Sequence, residues 1–237
     1  MADKYGEMAM NIREDNQTLR EHWDNVFRQA ESITDERDWH DLAPSRKLFD
    51  AAASLGSCAK MLDYGCGSGW ASVIAAKHGC QDITSADMSY NAIMHTTANA
   101  QFHGVSKQIH PEKIDDAWLR SIPDHTYDGF FCSNVLDVIP PLTADEIIRE
   151  SARIVSDEAT VIMSMNYYLS PQRAKEKGLE LIEGNRLYVD GVLRMVSRTD
   201  EEWLERFSPY YSLLQLDHFA WPSEKKETRR LFYLQKK

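Results

Sequence analysis

Lys60-Met61-Leu62-Asp63-Tyr64-Gly65-Cys66-Gly67-Ser68-Gly69-Trp70-Ala71-Ser72-Val73-Ile74-Ala75 is the stretch around which the rest of the chain is organised. Met61 and Leu62 read as the end of a buried strand. Glycines follow at alternate positions, and a run of small and apolar residues then opens a helix. Glycine suits such a turn because the backbone must pass through conformations that a Cβ forbids, and because a ligand can then approach the main chain. The unpaired N–H groups of the turn and of the helix start form a weakly positive cradle. In the dinucleotide fingerprint G-x-G-x-x-G the last position is glycine, whereas here it is Trp70, which speaks against a nicotinamide site.

With Asp63 two residues before the first glycine, the stretch resembles motif I of the class I S-adenosylmethionine-dependent methyltransferases, in particular the small-molecule enzymes of the type 11 group. The resemblance implies a Rossmann-like α/β fold: a seven-stranded, mostly parallel sheet with helices on both faces and an antiparallel last strand inserted between strands five and six. It implies S-adenosylmethionine as cofactor and S-adenosylhomocysteine as product. Asp63, Gly65, Cys66, Gly67 and Gly69 would then lie along the methionine and ribose.

Downstream of the turn, Ile83 to Asp87 reads as a second strand. Asp87 lies 24 residues beyond Asp63, about one β-α-β unit, and a carboxylate there can accept from both ribose hydroxyls. The resemblance makes Asp87 the motif II acid and packs Met88 on the adenine. Equally, Asp87 could cap the helix that begins at Ser89. A third strand is expected between Lys107 and Ile114. Asp115-Asp116-Ala117 and Pro123 to Asp128 resemble a further pair of family segments, by which Asp116 accepts from the adenine amino group with the Ala117 backbone beside it.

Gly129 to Ser133 reads as a buried strand ending in Asn134-Val135-Leu136-Asp137. Ligands gather at the carboxyl ends of parallel strands, so Ser133, Asn134 and Asp137 are placed on the crevice with Asp63, Asp87 and Asp116, and Ser133 and Asn134 are read as cofactor-binding. Asp137 either binds substrate or takes its proton, or else bonds to nearby backbone. Thr143 and Glu146 fit a capping box for the next helix, and Ala159 to Met165 is a near-continuous apolar run, the mark of a strand covered on both faces.

The chain divides into a helical lid or cap over residues 1–56 and a methyltransferase domain over 57–237, with an insertion at about 166–198. Met1 to Asn16 is polar and poorly periodic, and is expected to be flexible. From Gln17 onward, Leu19, Trp23, Val26 and Phe27 repeat at helical spacing. That helix either packs on the sheet or closes over the cofactor, with His22 and Trp23 as lid residues. The insertion holds Tyr167, Tyr168 and Tyr188, a helix-like stretch from Ala174 to Ile182 and a hairpin about Asp190-Gly191. Its tyrosines, together with Trp23, either recognise substrate or serve stability. His22, His40 and Asp137 are the possible bases. Thr199 to Glu202 begins a further capped helix, and two strands close the chain.

The 237 residues suffice for one large α/β domain, and 43% hydrophobic with 27% charged residues is the balance of a globular protein. A net charge of −10 disfavours a duplex nucleic-acid surface. The four cysteines show no C-x-x-C pair or zinc spacing, so no metal is expected and reduced thiols suit a cytoplasmic protein. The opening residues lack the apolar core of a signal peptide, and no apolar run reaches the roughly 18 residues of a membrane span. The resemblance implies a small-molecule acceptor; the alternatives are a methyltransferase that acts on protein or RNA, or a regulatory protein that holds the cofactor without turnover.

Overall fold

A computed structural model describes residues 2–237, with side chains from Asp15 onward. In chain order the elements are α1 (Ala2–Arg28), α2 (Arg46–Ser54), β1 (Met61–Tyr64), α3 (Trp70–Lys77), β2 (Ile83–Asp87), α4 (Tyr90–Phe102), β3 (Ile109–Lys113), α5 (Trp118–Ser121) and β4 (Tyr127–Ser133). Then follow α6 (Pro141–Ile154), β5 (Val155–Met165), α7 (Pro171–Glu176), β6 (Arg186–Val189), β7 (Val192–Val196), α8 (Asp200–Phe207), β8 (Tyr211–Phe219) and β9 (Arg229–Lys236).

The main sheet has the order β3-β2-β1-β4-β5-β9-β8. Pairings from β3 through β5 are parallel, and β9 runs antiparallel to both β5 and β8. This is the Rossmann-like sheet with an inserted antiparallel last strand that the resemblance implied. Alternation along the central strands explains why it is buried on both sides. Leu62, Phe130, Val161 and Met163 enter one core with Trp203 and Phe207 of α8, while Met61, Phe131 and Ile162 enter the other with Val73 and Ile74 of α3.

Some elements differ from the sequence reading. The opening segment is helical from Ala2 rather than flexible, continuous with the helix read from Gln17; Met1 and the side chains before Asp15 lie outside the described residues. Helix α2, within the expected lid, is core: Leu48, Phe49, Ala51 and Ala52 are buried with α3. The Thr143/Glu146 capping box does not form. Helix α6 starts three residues earlier, with Pro141 at its first position, where proline's fixed φ and missing N–H suit a helix start. The box at Thr199 and Glu202 is present. In the insertion the helix is only Pro171–Glu176, shifted from Ala174–Ile182. The hairpin forms as read, since Asp190 and Gly191 both take positive φ, the requirement of a tight two-residue turn.

Candidate active site

The carboxyl ends of β1, β2 and β4 face a cavity of about 580 Å³, roofed by Asn16, Trp23 and Phe27 of α1. That volume falls in the range of small-ligand sites. A second, more open depression of about 650 Å³ lies between Phe27 and α4, away from the strand ends, and holds His95 but none of the acids of the row.

The turn after β1 is sewn to its neighbours. Gly65 and Cys66 donate their N–H groups to Ala86 O at 2.8 and 3.1 Å. Gly67 donates to Asp87 Oδ2 at 3.0 Å and accepts on its carbonyl from Thr96 Oγ1, also at 3.0 Å. Gly65 has φ +71, and a Cβ there would lie 2.3 Å from Val135 Cγ2. Gly69, expected to touch cofactor, does not line the cavity. It is the left-handed N-cap of α3, and its bare Cα admits Thr96, whose Cγ2 would stand 2.7 Å from a Cβ.

Asp63 is buried on the cavity wall and accepts from Ser72 Oγ at 2.6 Å; Ser72 Oγ in turn meets Ser85 Oγ at 2.7 Å. Burial pushes its carboxyl up to about 7 against the pull of the Ser72 hydrogen bond. Asp87 accepts from Gly67 N–H and, at 2.8 Å, from Ser89 N–H, and burial raises its carboxyl as well. The helix cap at α4 is the Ser89 hydroxyl, which accepts from Ala92 N–H. Cys66 and Met88 line the same space; burial holds the Cys66 thiol far above its usual range, so it stays neutral.

Asp116 lies on the rim, half exposed, in an ion pair with Arg20 of α1. Ala117 is off the cavity, its N–H donated to Asp115 Oδ1 at 2.9 Å, so the expected backbone partner for a base is already engaged. Ser133 and Asn134 both line the cavity. Asn134 holds φ +55 at the end of β4, a left-handed state that asparagine tolerates, with its side-chain oxygen buried and unpartnered.

Asp137 does not reach the cavity. It is 1% exposed, accepts from Asn166 N–H at 2.7 Å on Oδ2, and its own carbonyl accepts from Val196 N–H at 2.7 Å. The backbone-bonding alternative describes it, because the chain bends inward after Asn134. His22 is also off the cavity: its ring meets Trp23 edge-on at 5.3 Å, Nε2 is buried without a partner, and burial followed by the Arg194 charge lowers its pKa. His40 lies apart, exposed, with Nδ1 2.5 Å from Asp38.

Of the expected acceptor-binding residues only Trp23 lines the cavity, with the Arg194 guanidinium 5.9 Å from its ring centroid. Tyr167 packs on the small core of the insertion with Leu169, Ala174 and Met195. Tyr168 is 39% exposed, and the Tyr188 hydroxyl donates to Asp15 Oδ2 at 3.3 Å. Tyr167 thus packs within the insertion and Tyr188 bonds to α1, and none of the three lines the cavity.

Sequence reasoning missed Tyr64, Phe27, Trp70, Trp221 and the Arg120–Glu146 pair on the cavity wall. Phe27 sits one turn beyond Trp23 and therefore shares its face. Trp221 follows β8, which runs in the common direction, so its end opens on the same edge.

A family model described as "Methyltransferase domain" matches residues 61–158, from β1 into β5, the span that builds this cavity. Over residues 61–158 the chain is similar to a methyltransferase domain. A ribosomal protein L11 methyltransferase from Lachnospira eligens is 29% identical over 133 residues, covering 53% of this chain and 41% of the relative, so the chain spans less than half of that relative's length. Among solved structures, Burkholderia thailandensis 1,6-didemethyltoxoflavin-N1-methyltransferase, with its substrate and S-adenosylhomocysteine bound, superposes with a TM-score of 0.70 at 15% identity, covering 95% of this chain and 90% of that one. An S-adenosylmethionine-dependent methyltransferase from Mesorhizobium loti superposes with a TM-score of 0.63 at 18% identity, covering 82% and 98%. The methyltransferase domain shares its fold with both. Among the described residues no helix is long and apolar enough to cross a membrane.

Proposed function

We propose that the chain is an S-adenosylmethionine-dependent methyltransferase that acts on a small-molecule acceptor and releases S-adenosylhomocysteine. The observation that carries this reading is the convergence of the Gly65–Gly67 turn, Asp63 and Asp87 on one cavity at the carboxyl edge of the sheet. The residues fit the cofactor: a bare turn permits close approach, buried acids suit a cationic ligand, and Met88, Ile114 and Leu119 offer an apolar slot for a base.

S-adenosylmethionine, when bound, supplies a methyl group activated by a positive sulfur. Asp87 keeps lone pairs free on both oxygens for ribose hydroxyls while its N–H donors hold the turn in place. Asp63 places negative charge beside the turn. Trp23 and Phe27 exclude water from above, and α1 is the lid of this reading. The 166–198 insertion supports that lid through Tyr188 and Arg194. With Asp137 and His22 off the cavity, its lining residues act by positioning, which alone supplies much of the acceleration in a displacement at carbon.

Isothermal titration with S-adenosylmethionine tests the reading, and folded protein that takes up no cofactor rejects it. A protein acceptor is the second reading, favoured by the ribosomal protein L11 methyltransferase match. Incubating the protein and cofactor separately with a small-metabolite extract and with ribosomal proteins, then measuring S-adenosylhomocysteine, separates the two.

A further inference from the structure

Successive side chains of a strand point to opposite faces of the sheet, so the last two residues of β1 serve different walls of the cavity. Asp63 turns to the α3 side, where it accepts from Ser72. Tyr64 turns the other way and packs on the core that holds Leu62 and Phe130, its ring stacked on Phe130 at 6.4 Å between centroids. Ile114 and Leu119 of the base slot belong to that same core and line the same cavity. On this side the cavity therefore has an apolar wall, bounded by α5 and α6 and spanned by the Arg120–Glu146 ion pair.

The acids along this wall are engaged, Asp87 by Gly67 and Ser89, Asp116 by Arg20 and Glu146 by Arg120. The Tyr64 hydroxyl is not. It has no hydrogen-bond partner among the described residues, and on a partly buried residue of the cavity lining it is not one of the sealed polar atoms, so a ligand in the cavity can reach it. Burial, and then the neighbouring Cys132, Asp116, Asp87 and Glu146, push its phenol up, so it keeps its proton and acts as a donor. A tyrosine O–H within an apolar wall ordinarily finds a partner. The ring nitrogens of an uncharged heteroaromatic base are acceptors that fit between Ile114, Leu119 and Met88.

Resting on the methyltransferase reading of this cavity, we propose that Tyr64 is a specificity residue for the cofactor, its hydroxyl donating a hydrogen bond to a ring nitrogen of the adenine. The apolar side chains hold the faces of the base, and Tyr64 reads its edge. A site built to hydrogen-bond one ligand atom rejects the analogue that lacks it.

The test begins with a calorimetric titration of the full chain with S-adenosylhomocysteine. Absence of binding rejects the methyltransferase reading itself, before Tyr64 is in question. Tyr64→Phe keeps the ring on Phe130 and loses only the hydroxyl, and is expected to weaken S-adenosylhomocysteine about tenfold. Both proteins are then titrated with the 1-deaza, 3-deaza and 7-deaza analogues, each of which replaces one ring nitrogen by C–H. One analogue is expected to bind the wild type about tenfold more weakly than S-adenosylhomocysteine, yet to bind Tyr64→Phe as tightly as that variant binds S-adenosylhomocysteine, because the hydroxyl and the nitrogen are each other's partner. A purely structural Tyr64 leaves the analogue penalties the same in both proteins, which overturns the proposal, as does undiminished S-adenosylhomocysteine affinity in the folded variant. Should Tyr64→Phe not fold, the wild-type series decides: a loss confined to one analogue supports the assignment, and any other pattern overturns it.

Discussion

Gly67 donates its backbone N–H to Asp87 Oδ2 over 3.0 Å, so the acid that ends β2 holds the glycine turn that ends β1. The other Asp87 oxygen takes the Ser89 N–H at 2.8 Å. One buried carboxylate thereby shapes the cradle before any ligand arrives.

Replacing Asp87 by Asn leaves a single acceptor oxygen for two main-chain donors. One N–H loses its partner, at about 1–3 kcal/mol. Asp87→Asn should lower the denaturation midpoint accordingly and weaken S-adenosylmethionine at least tenfold in a calorimetric titration. Unchanged affinity would show that Asp87 serves the turn alone.

Gly65→Ala combines two penalties, a Cβ 2.3 Å from Val135 Cγ2 and a side chain at φ +71. Overpacking and a left-handed L-residue together should destabilise the chain by about 2–4 kcal/mol in urea unfolding. The same change at Gly67, where the nearest atom is Phe27 Cζ at 3.2 Å, should be milder, because an aromatic edge on α1 can move.

The Asp63 carboxyl, raised by burial to about 7, makes stability and binding depend on pH in opposite directions. Its folded pKa is above the unfolded one. Between about pH 4 and 7 the folded chain keeps a proton that the unfolded chain has released, so the unfolding free energy falls as pH rises through that window. A cationic ligand favours the ionised carboxylate. Cofactor affinity should therefore climb as pH rises toward about 7 and level off above it, with proton release on binding. Titrations in buffers of different ionisation enthalpy measure that release, and Asp63→Asn should reduce it.

Asp137→Asn separates structure from catalysis at a buried acid. The amide oxygen still accepts from Asn166 N–H, and a buried charge is removed. Methyl transfer should persist within about threefold of wild type, while Asp137→Ala, which strands the Asn166 N–H, should lose about 1–3 kcal/mol of stability. A large loss of kcat in Asp137→Asn at full stability would restore Asp137 as a base.

What could be read along the chain was the local chemistry. The spacing from Met61 to Ala75 prescribes strand, left-handed turn and helix; Asp87 closes the next β-α-β unit; Asp190-Gly191 can only turn tightly. These follow from backbone sterics and periodicity, which act over a few residues. Only the tertiary structure decided which partner each side chain meets. Asp137 and Asn134 lie three positions apart on one segment, yet the first is bonded to Asn166, just past β5, and the second lines the cavity. Gly69 yields to Thr96 rather than to a ligand, and Trp221 reaches the site from the far end of the chain. The physical reason is that strand order and the crossing of α1 over the sheet edge set those distances, and neither is written in the spacing of neighbouring residues.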